Sequence, residues 1–379
     1  MTRTESHRRL QFTVSIFTCF ILCLSLPSCE VESPSSITDD WKISTSEAQG
    51  FDKSVLLELT NRIQAGTYGE IHSLLIVRHG YLVLEEYYRG YDRNRIHPVY
   101  SVTKSVTSAL IGIAMDQGKL KGTDGKLLAF FPEYTSVANL DANKQAITLA
   151  DVLTMRAGFD WNEQIAPYGD PRNPTYQLAA SSDWIKYMLD LPMSDRPGTR
   201  FRYNSGCSVL LGGILRNATG VQAHEFARNY LFQPLGIVNV QWETGAQGLT
   251  NTGWGLSMQP RDMAKIGFLY LKNGLWESKR IISEDWVKTS TENHVDLSDP
   301  FSYGYQWWLM PLENVAGHSP QADDIKIAWG WGDQFIFVIP SLDMVVVSTA
   351  GNFYGPLEDQ AIDFLRDYIV RAVKDAQPR

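Results

Sequence analysis

Ser101-Val102-Thr103-Lys104 is the one Ser-x-x-Lys in the 379-residue chain. Residues three apart share a helix face, so a helix here sets Lys104 beside Ser101. Val106, Leu110, Ile113 and Ala114 follow at helical spacing, so the motif opens a helix. The partial positive charge of a helix N-terminus disfavours a nearby ammonium. Burial acts in the same direction. A neutral lysine amine can take the proton of a serine hydroxyl, which is otherwise a poor nucleophile. The plain alternative is a serine that caps the helix and a lysine that faces water.

A second stretch, Phe201-Arg202-Tyr203-Asn204-Ser205-Gly206, lies between Pro197-Gly198 and an apolar helix. It presents a phenol suited to moving a proton between a serine and a leaving group. A core tyrosine with a satisfied hydroxyl is the alternative. A third stretch, Ala328-Trp329-Gly330-Trp331-Gly332-Asp333-Gln334, precedes a strand-like run. Gly330 and Gly332 permit close approach of a substrate to backbone at a strand edge. A backbone N–H there, with that of Ser101, would stabilise an oxyanion. A simple glycine-rich turn is the competing reading.

The elements that must position these groups come from periodicity. A helix is expected from Asp52 through Val55, Leu56, Leu59 and Ile63. Leu74–Val77 and Tyr81–Tyr87 read as strands of a hairpin about His79-Gly80. Thr103–Met115 reads as a helix with Gly118 as its stop signal. Residues 121–260 are mostly helical in pattern. Strands return at Tyr305–Met310, Phe335–Ile339 and Met344–Thr349, and an amphipathic helix follows over Leu357–Val373. The expected fold is therefore α+β: an antiparallel sheet formed from both chain ends, flanked by helices, with a mostly helical inserted region. In domain terms, 46–379 is one unit, with 46–120 and 261–379 as its α/β part and 121–260 as the insertion.

With these stretches in view, the chain resembles the serine β-lactamase-related hydrolases: class C β-lactamases, DD-peptidases, family VIII esterases and 6-aminohexanoate-dimer hydrolases. The resemblance covers about residues 50–375. It rests on Tyr100-Ser101-Val102-Thr103-Lys104-Ser105, Leu153-Thr154-Met155-Arg156-Ala157-Gly158, the Tyr203 segment, Pro234-Leu235-Gly236 and Arg261-Asp262-Met263-Ala264-Lys265. It implies a β-lactamase/transpeptidase-like fold, Ser101 as an acylated nucleophile, and Lys104 and Tyr203 as its proton-handling partners. It also implies that Trp331 supplies the second oxyanion N–H and that Tyr168, in the polar loop Trp161–Thr175, touches substrate.

Two departures bear on substrate. The family's second motif is often Tyr-x-Asn; here Ser205 holds the third place and Asn204 the second, so either is a candidate contact of Lys104. The Lys-Thr-Gly of the β-lactamase and peptidase branches is replaced by Gly330-Trp331-Gly332. Lys288-Thr289-Ser290 lies in a helix-like segment and is rejected as a replacement, which leaves Lys326 as the candidate substitute. Loss of that motif removes the usual anchor for a substrate carboxylate. The expected function is thus a serine hydrolase of small ester, amide or peptide-like substrates acting through an acyl-enzyme. The alternatives are β-lactamase or DD-peptidase activity and, in another class, a non-catalytic envelope binding protein. Trp307 and Trp308 read as core residues more readily than as cleft lining.

Arg3, Arg8 and Arg9 precede an apolar run from Phe12 to Leu26, which reads as a secretory leader over 1–28. Leu26-Pro27-Ser28-Cys29 resembles a lipoprotein box, so Cys29 is a candidate lipidation site. Residues 29–45 then form a tether, and the protein is expected in the bacterial cell envelope, facing the periplasm. Any membrane contact would come through that lipid. Cys207, beside Val209, Leu210 and Leu211, reads as a buried small hydrophobe. Hydrophobic residues make up 44% and charged residues 20%, which places the chain among globular proteins. A formal charge of -8 without a basic cluster argues against nucleic-acid binding. The chain carries no Gly-x-Ser-x-Gly, His-Glu-x-x-His, Cys-x-x-Cys or phosphate-binding loop. No metal or cofactor is therefore expected. His72, His79, His97, His224, His294 and His318 are scattered and take ordinary surface or core roles.

Overall fold

The computed structural model describes residues 41–297, 300–312, 321–354 and 359–374. The leader, Cys29 and the first part of the tether lie outside the described residues.

A nine-stranded sheet forms the framework. Its order in space is Lys42–Ile43, Tyr81–Tyr87, Ile71–Arg78, Met344–Ala350, Gln334–Ile339, Gln321–Gly330, Trp308–Leu312, Ser302–Tyr303 and Val295–Asp296. The N-terminal hairpin thus joins the C-terminal strands directly, with Ile76 opposite Val346. All neighbours are antiparallel except the edge strand Lys42–Ile43, which runs parallel to Tyr81–Tyr87. His79 (φ 52) and Gly80 (φ 80) both sit in the left-handed region. That is the geometry of the tight turn whose twist matches a two-residue hairpin.

Side chains alternate across each strand. Leu75, Val77, Ile336, Val338, Val345 and Val347 enter one core with Val106, Leu110, Leu210 and Met263. Leu74, Ile76, Phe335, Phe337 and Val346 enter another with Leu56, Leu59, Ile63 and Phe364. The central strands are buried on both faces, so they read as continuous Val/Ile/Phe runs. The helix Lys53–Gln64 starts at Asp52, whose carboxylate accepts from the Ser54 N–H at 2.9 Å. The helix Pro260–Leu271 lies very close to the sheet at Gly267, where a Cβ would come within 2.6 Å of Val345.

Three expectations need correction. The strand expected over Tyr305–Met310 begins at Trp308, because Gln306 takes a positive φ of 65° and turns the chain. The stretch before Trp331 is itself a strand, Gln321–Gly330, and Trp331, Gly332 and Asp333 form the turn into Gln334–Ile339. The last helix, expected from Leu357, is described from Gln360–Phe364 and continues as a wider π-type turn over Leu365–Val370; the expected first turn, 357–358, lies outside the described residues. Residues 121–260 hold the helices Leu149–Leu153, Pro174–Ala180, Trp184–Asp190 and Ser205–Thr219. They also hold two short strands: Leu256–Met258 pairs with His97–Pro98 on one side and with Gln241–Trp242 on the other. This small sheet anchors the segment that leads into Ser101.

Candidate active site

Ser101 stands at the start of the helix Val102–Asp116 and makes no capping bond with its side chain. Its hydroxyl is 2.8 Å from Lys104 Nζ. Lys104 is 1% exposed, so the capping-serine and solvent-lysine alternative fails. Every helix residue from Val102 to Ala114 is buried. Tyr100, just before Ser101, is held at φ 46°, a costly conformation for a tyrosine. Ser105 ties the helix to the Gln306 carbonyl at 2.7 Å, and Thr107 ties it to the Thr252 carbonyl at 3.1 Å.

Lys104 donates also to the Gly253 carbonyl at 2.8 Å. Burial pushes its ammonium down to about 8, against the nearby Glu163 carboxylate, which favours the charged form. Two neutral acceptors are thus set around an amine poised to lose its proton. Lys104 Nζ lies 5.0 Å from the centre of the Tyr203 ring. The Tyr203 phenol is driven up by burial and by Glu163, while the Ser101 hydroxyl favours its ionised form. Trp308 stacks on Tyr203 at 5.7 Å, whereas Trp307 is fully buried in the core. The tryptophan pair therefore divides, one to the cleft and one to the core.

Neither Asn204 nor Ser205 bonds to Lys104 among the described residues. Asn204 caps the helix Ser205–Thr219 by accepting from the Cys207 N–H at 3.0 Å. Ser205 turns instead to Glu163. That buried carboxylate accepts from the Ser205 N–H, from Ser205 Oγ at 3.1 Å, from Trp161 Nε1 at 2.8 Å and from the Tyr168 hydroxyl at 2.9 Å. Glu163 was not identified from sequence. Its only signal was an acidic residue in a loop otherwise rich in aromatic and polar side chains.

The third stretch meets the other two at Gly330. A Cβ there would come within 2.2 Å of the Val99 carbonyl, so only glycine lets the strand end reach the segment before Ser101. The Trp331 indole donates to the Phe353 carbonyl at 2.8 Å and packs edge-on against Tyr100 and Tyr168. Gly332 (φ 80) packs against Phe353, and Gln334 pins the turn by donating to the Gly332 carbonyl at 2.8 Å and the Ala350 carbonyl at 2.6 Å. Asp333 lies buried under the turn, and burial pushes its carboxyl up to about 7.

Lys326 does not join the site. It is four residues down the strand from Gly330, or about 13 Å at the usual rise. Lys288 lies within the helix Glu284–Ser290. Cys207 is buried and its thiol is driven up, in keeping with a core role. His72 and His97 bond to each other at 2.9 Å and line neither cavity that Ser101 borders. Among the described residues no group of three or more His, Cys, Asp or Glu is arranged to hold a metal, and no helix is long and apolar enough to cross a membrane.

Ser101 opens onto a cleft of about 660 Å³ whose lining includes Glu163, Tyr203, Trp308, Arg200, Arg202 and Asp359. Arg202 is paired with Asp195 at 2.6 Å. A serine–lysine pair at a buried helix start, a phenol beside it and the end of an antiparallel sheet define a β-lactamase/transpeptidase-like protein. The beta-lactamase family model matches residues 71–368, and the chain belongs to that family.

Over 267 residues the chain is 26% identical to the 6-aminohexanoate-dimer hydrolase of Paenarthrobacter ureafaciens, covering 64% of this chain and 66% of that protein. It spans 56 to 66% of the length of the sequence relatives it matches. A family VIII carboxylesterase shares the fold at TM-score 0.66 and 16% identity, over 87% of this chain and 98% of that one. So does a penicillin binding protein from Bacillus halodurans, at TM-score 0.62 and 19% identity, over 80% of this chain and 99% of that one.

Proposed function

We propose that this protein is a serine hydrolase that cleaves a small ester or amide through an acyl-enzyme on Ser101. The observation that carries the reading is the 2.8 Å contact of Ser101 Oγ with a buried Lys104 whose ammonium is disfavoured. Lys104 takes the hydroxyl proton as Ser101 Oγ attacks the carbonyl carbon. The Ser101 and Trp331 N–H groups hold the oxyanion. Tyr203 passes the proton to the leaving oxygen or nitrogen as its bond to carbon breaks. Water then attacks the ester, gives its proton back through the same groups and releases the acid. These steps call on no cofactor. Retention of this proton machinery argues against a binding protein on the same fold, since a binder has no use for it.

The missing Lys-Thr-Gly favours neutral esters and amides over β-lactams or D-alanyl peptides. The purified protein and its Ser101→Ala variant should be compared on p-nitrophenyl butyrate and a chromogenic cephalosporin. The variant should lose ester turnover by on the order of 10⁴-fold or more. Ester hydrolysis that survives the substitution would sink the mechanism. Faster cephalosporin than ester turnover would move the protein to the β-lactamase branch. The basic, then apolar, start of the chain and Cys29 support export and lipid anchoring to the cell envelope. Intact mass of the membrane-extracted protein tests that: a mass without residues 1–28 and with added acyl chains is expected.

A further inference from the structure

Ser101 lies on the wall shared by two cavities of unlike chemistry. The larger is the cleft that carries Glu163, Arg200, Arg202 and Asp359. The smaller, about 330 Å³, has no charged side chain in its lining. Its walls include Tyr100, Tyr168, Tyr176, Ala179, Trp254 and Trp331. Most polar groups that border it are already engaged. The Tyr168 and Ser205 hydroxyls both donate to Glu163, Thr175 Oγ1 donates to Asn173 Oδ1 at 2.6 Å, and the Trp331 indole serves the Phe353 carbonyl. Trp254 is held in place by stacking on Trp184 at 6.0 Å. What remains open to a ligand is mostly aromatic surface, with the Tyr100 and Tyr176 hydroxyls and the Trp254 indole N–H as its uncharged polar groups.

The proton path says which half of a substrate enters which cavity. Tyr203 lines the larger cavity and not the smaller. The leaving atom must collect its proton on the Tyr203 side, so the leaving group occupies the polar cleft. The acyl group then points the other way. We propose that the smaller cavity is an acyl pocket selective for uncharged, apolar acyl groups of about six to eight carbons, such as hexanoyl or phenylacetyl. This rests on the acyl-enzyme reading above. A volume of about 330 Å³ corresponds to roughly ten waters at about 30 Å³ each, which is room for such a group. Burial of each methylene favours binding by about fourfold, and part of that is spent on ordering the chain.

The test is a series of p-nitrophenyl esters: acetate, butyrate, hexanoate, phenylacetate and the hemisuccinate, whose acyl end is anionic. The expected result is a kcat/KM at least tenfold higher for hexanoate than for acetate, with the hemisuccinate below butyrate. Ala179→Trp fills the pocket from its exposed rim and should collapse the hexanoate-to-acetate ratio toward one. Tyr176→Ala opens the wall at a side chain 45% exposed and should move the optimum to longer chains. A flat series, a hemisuccinate preferred to hexanoate, or a ratio untouched by Ala179→Trp would overturn the acyl pocket while leaving hydrolysis by Ser101 standing. No turnover of any ester, acetate included, together with no fluorophosphonate adduct on Ser101, would overturn both.

Discussion

Lys104 and Asp333 are two buried ionisable groups within one site, and burial disfavours the charged form of each. Lys104 is pushed down to about 8 and Asp333 up to about 7. Their surroundings differ. Lys104 has two acceptors at 2.8 Å, Ser101 Oγ and the Gly253 carbonyl, so its amine keeps partners in either protonation state. Asp333 is served on one oxygen by Asn352 at 2.8 Å and by the Gln360 N–H at 3.2 Å, while Oδ1 has no hydrogen-bond partner among the described residues. In the proposed reaction, the first arrangement turns desolvation into a usable base next to the attacking hydroxyl. The second leaves a half-satisfied carboxyl under a turn, where it acts on stability. On the proposed mechanism, equal burial becomes chemistry only where the partner is the reacting atom.

The sharpest way to break this contrast is Lys104→Met. It removes the base and should lower kcat on esters by about 10²–10⁴-fold. Because the variant replaces a buried ammonium by an apolar chain of similar length, thermal stability should hold or rise. Turnover that persists in it would mean that burial at Lys104 serves packing alone.

A smaller effect is expected in the pH profile. With Lys104 poised near 8, kcat/KM should rise with pH through about 8 as the amine loses its proton. Glu163 opposes that loss, since its carboxylate favours the ammonium. Glu163→Gln should therefore shift the rising limb to lower pH. It should also lower stability, because a glutamine cannot accept from all the donors that converge there. A stability loss with an unmoved limb would reduce Glu163 to a structural cap.

Asp333→Asn should have the least effect on turnover and a readable effect on stability. The native carboxyl titrates near 7 in the fold, against an ordinary value of 3.8. Folding therefore favours the protonated form. That stability is complete below about pH 4 and is lost as pH rises through about 7. Asparagine stays neutral, and its oxygen can serve Asn352 and Gln360. Melting curves of the two proteins should converge at pH 4 and separate above pH 7, with the variant higher by a few degrees. A variant no more stable at pH 8 would show that the carboxyl is solvated there.

The parts of the site that were legible in the sequence are those built by local geometry. Ser101 and Lys104 are one turn apart on a helix whose apolar residues recur at helical spacing, and the hairpin at His79-Gly80 follows from its turn residues. Legibility ended where a distant segment decides. The strand Gln321–Gly330 escaped notice because Asp323, Asp324 and Lys326 break its apolar run. The start of the neighbouring strand at Trp308 is set by a positive φ at Gln306, which no turn-forming residue type announces. Asn204 and Ser205 were both open as partners of Lys104. The structure gives one to a helix cap and the other to Glu163.

Sequence alone determined which side chains would meet through one helix and where the hairpin and the two central C-terminal strands run, since these depend on the 3.6-residue period and on continuous apolar runs. Tertiary structure decided the protonation chemistry. The acceptor that completes the Lys104 environment is a main-chain carbonyl 149 residues away, and the carboxylate that opposes its deprotonation sits in another loop. Desolvation and charge act through space, so their source along the chain is set only once the chain has folded.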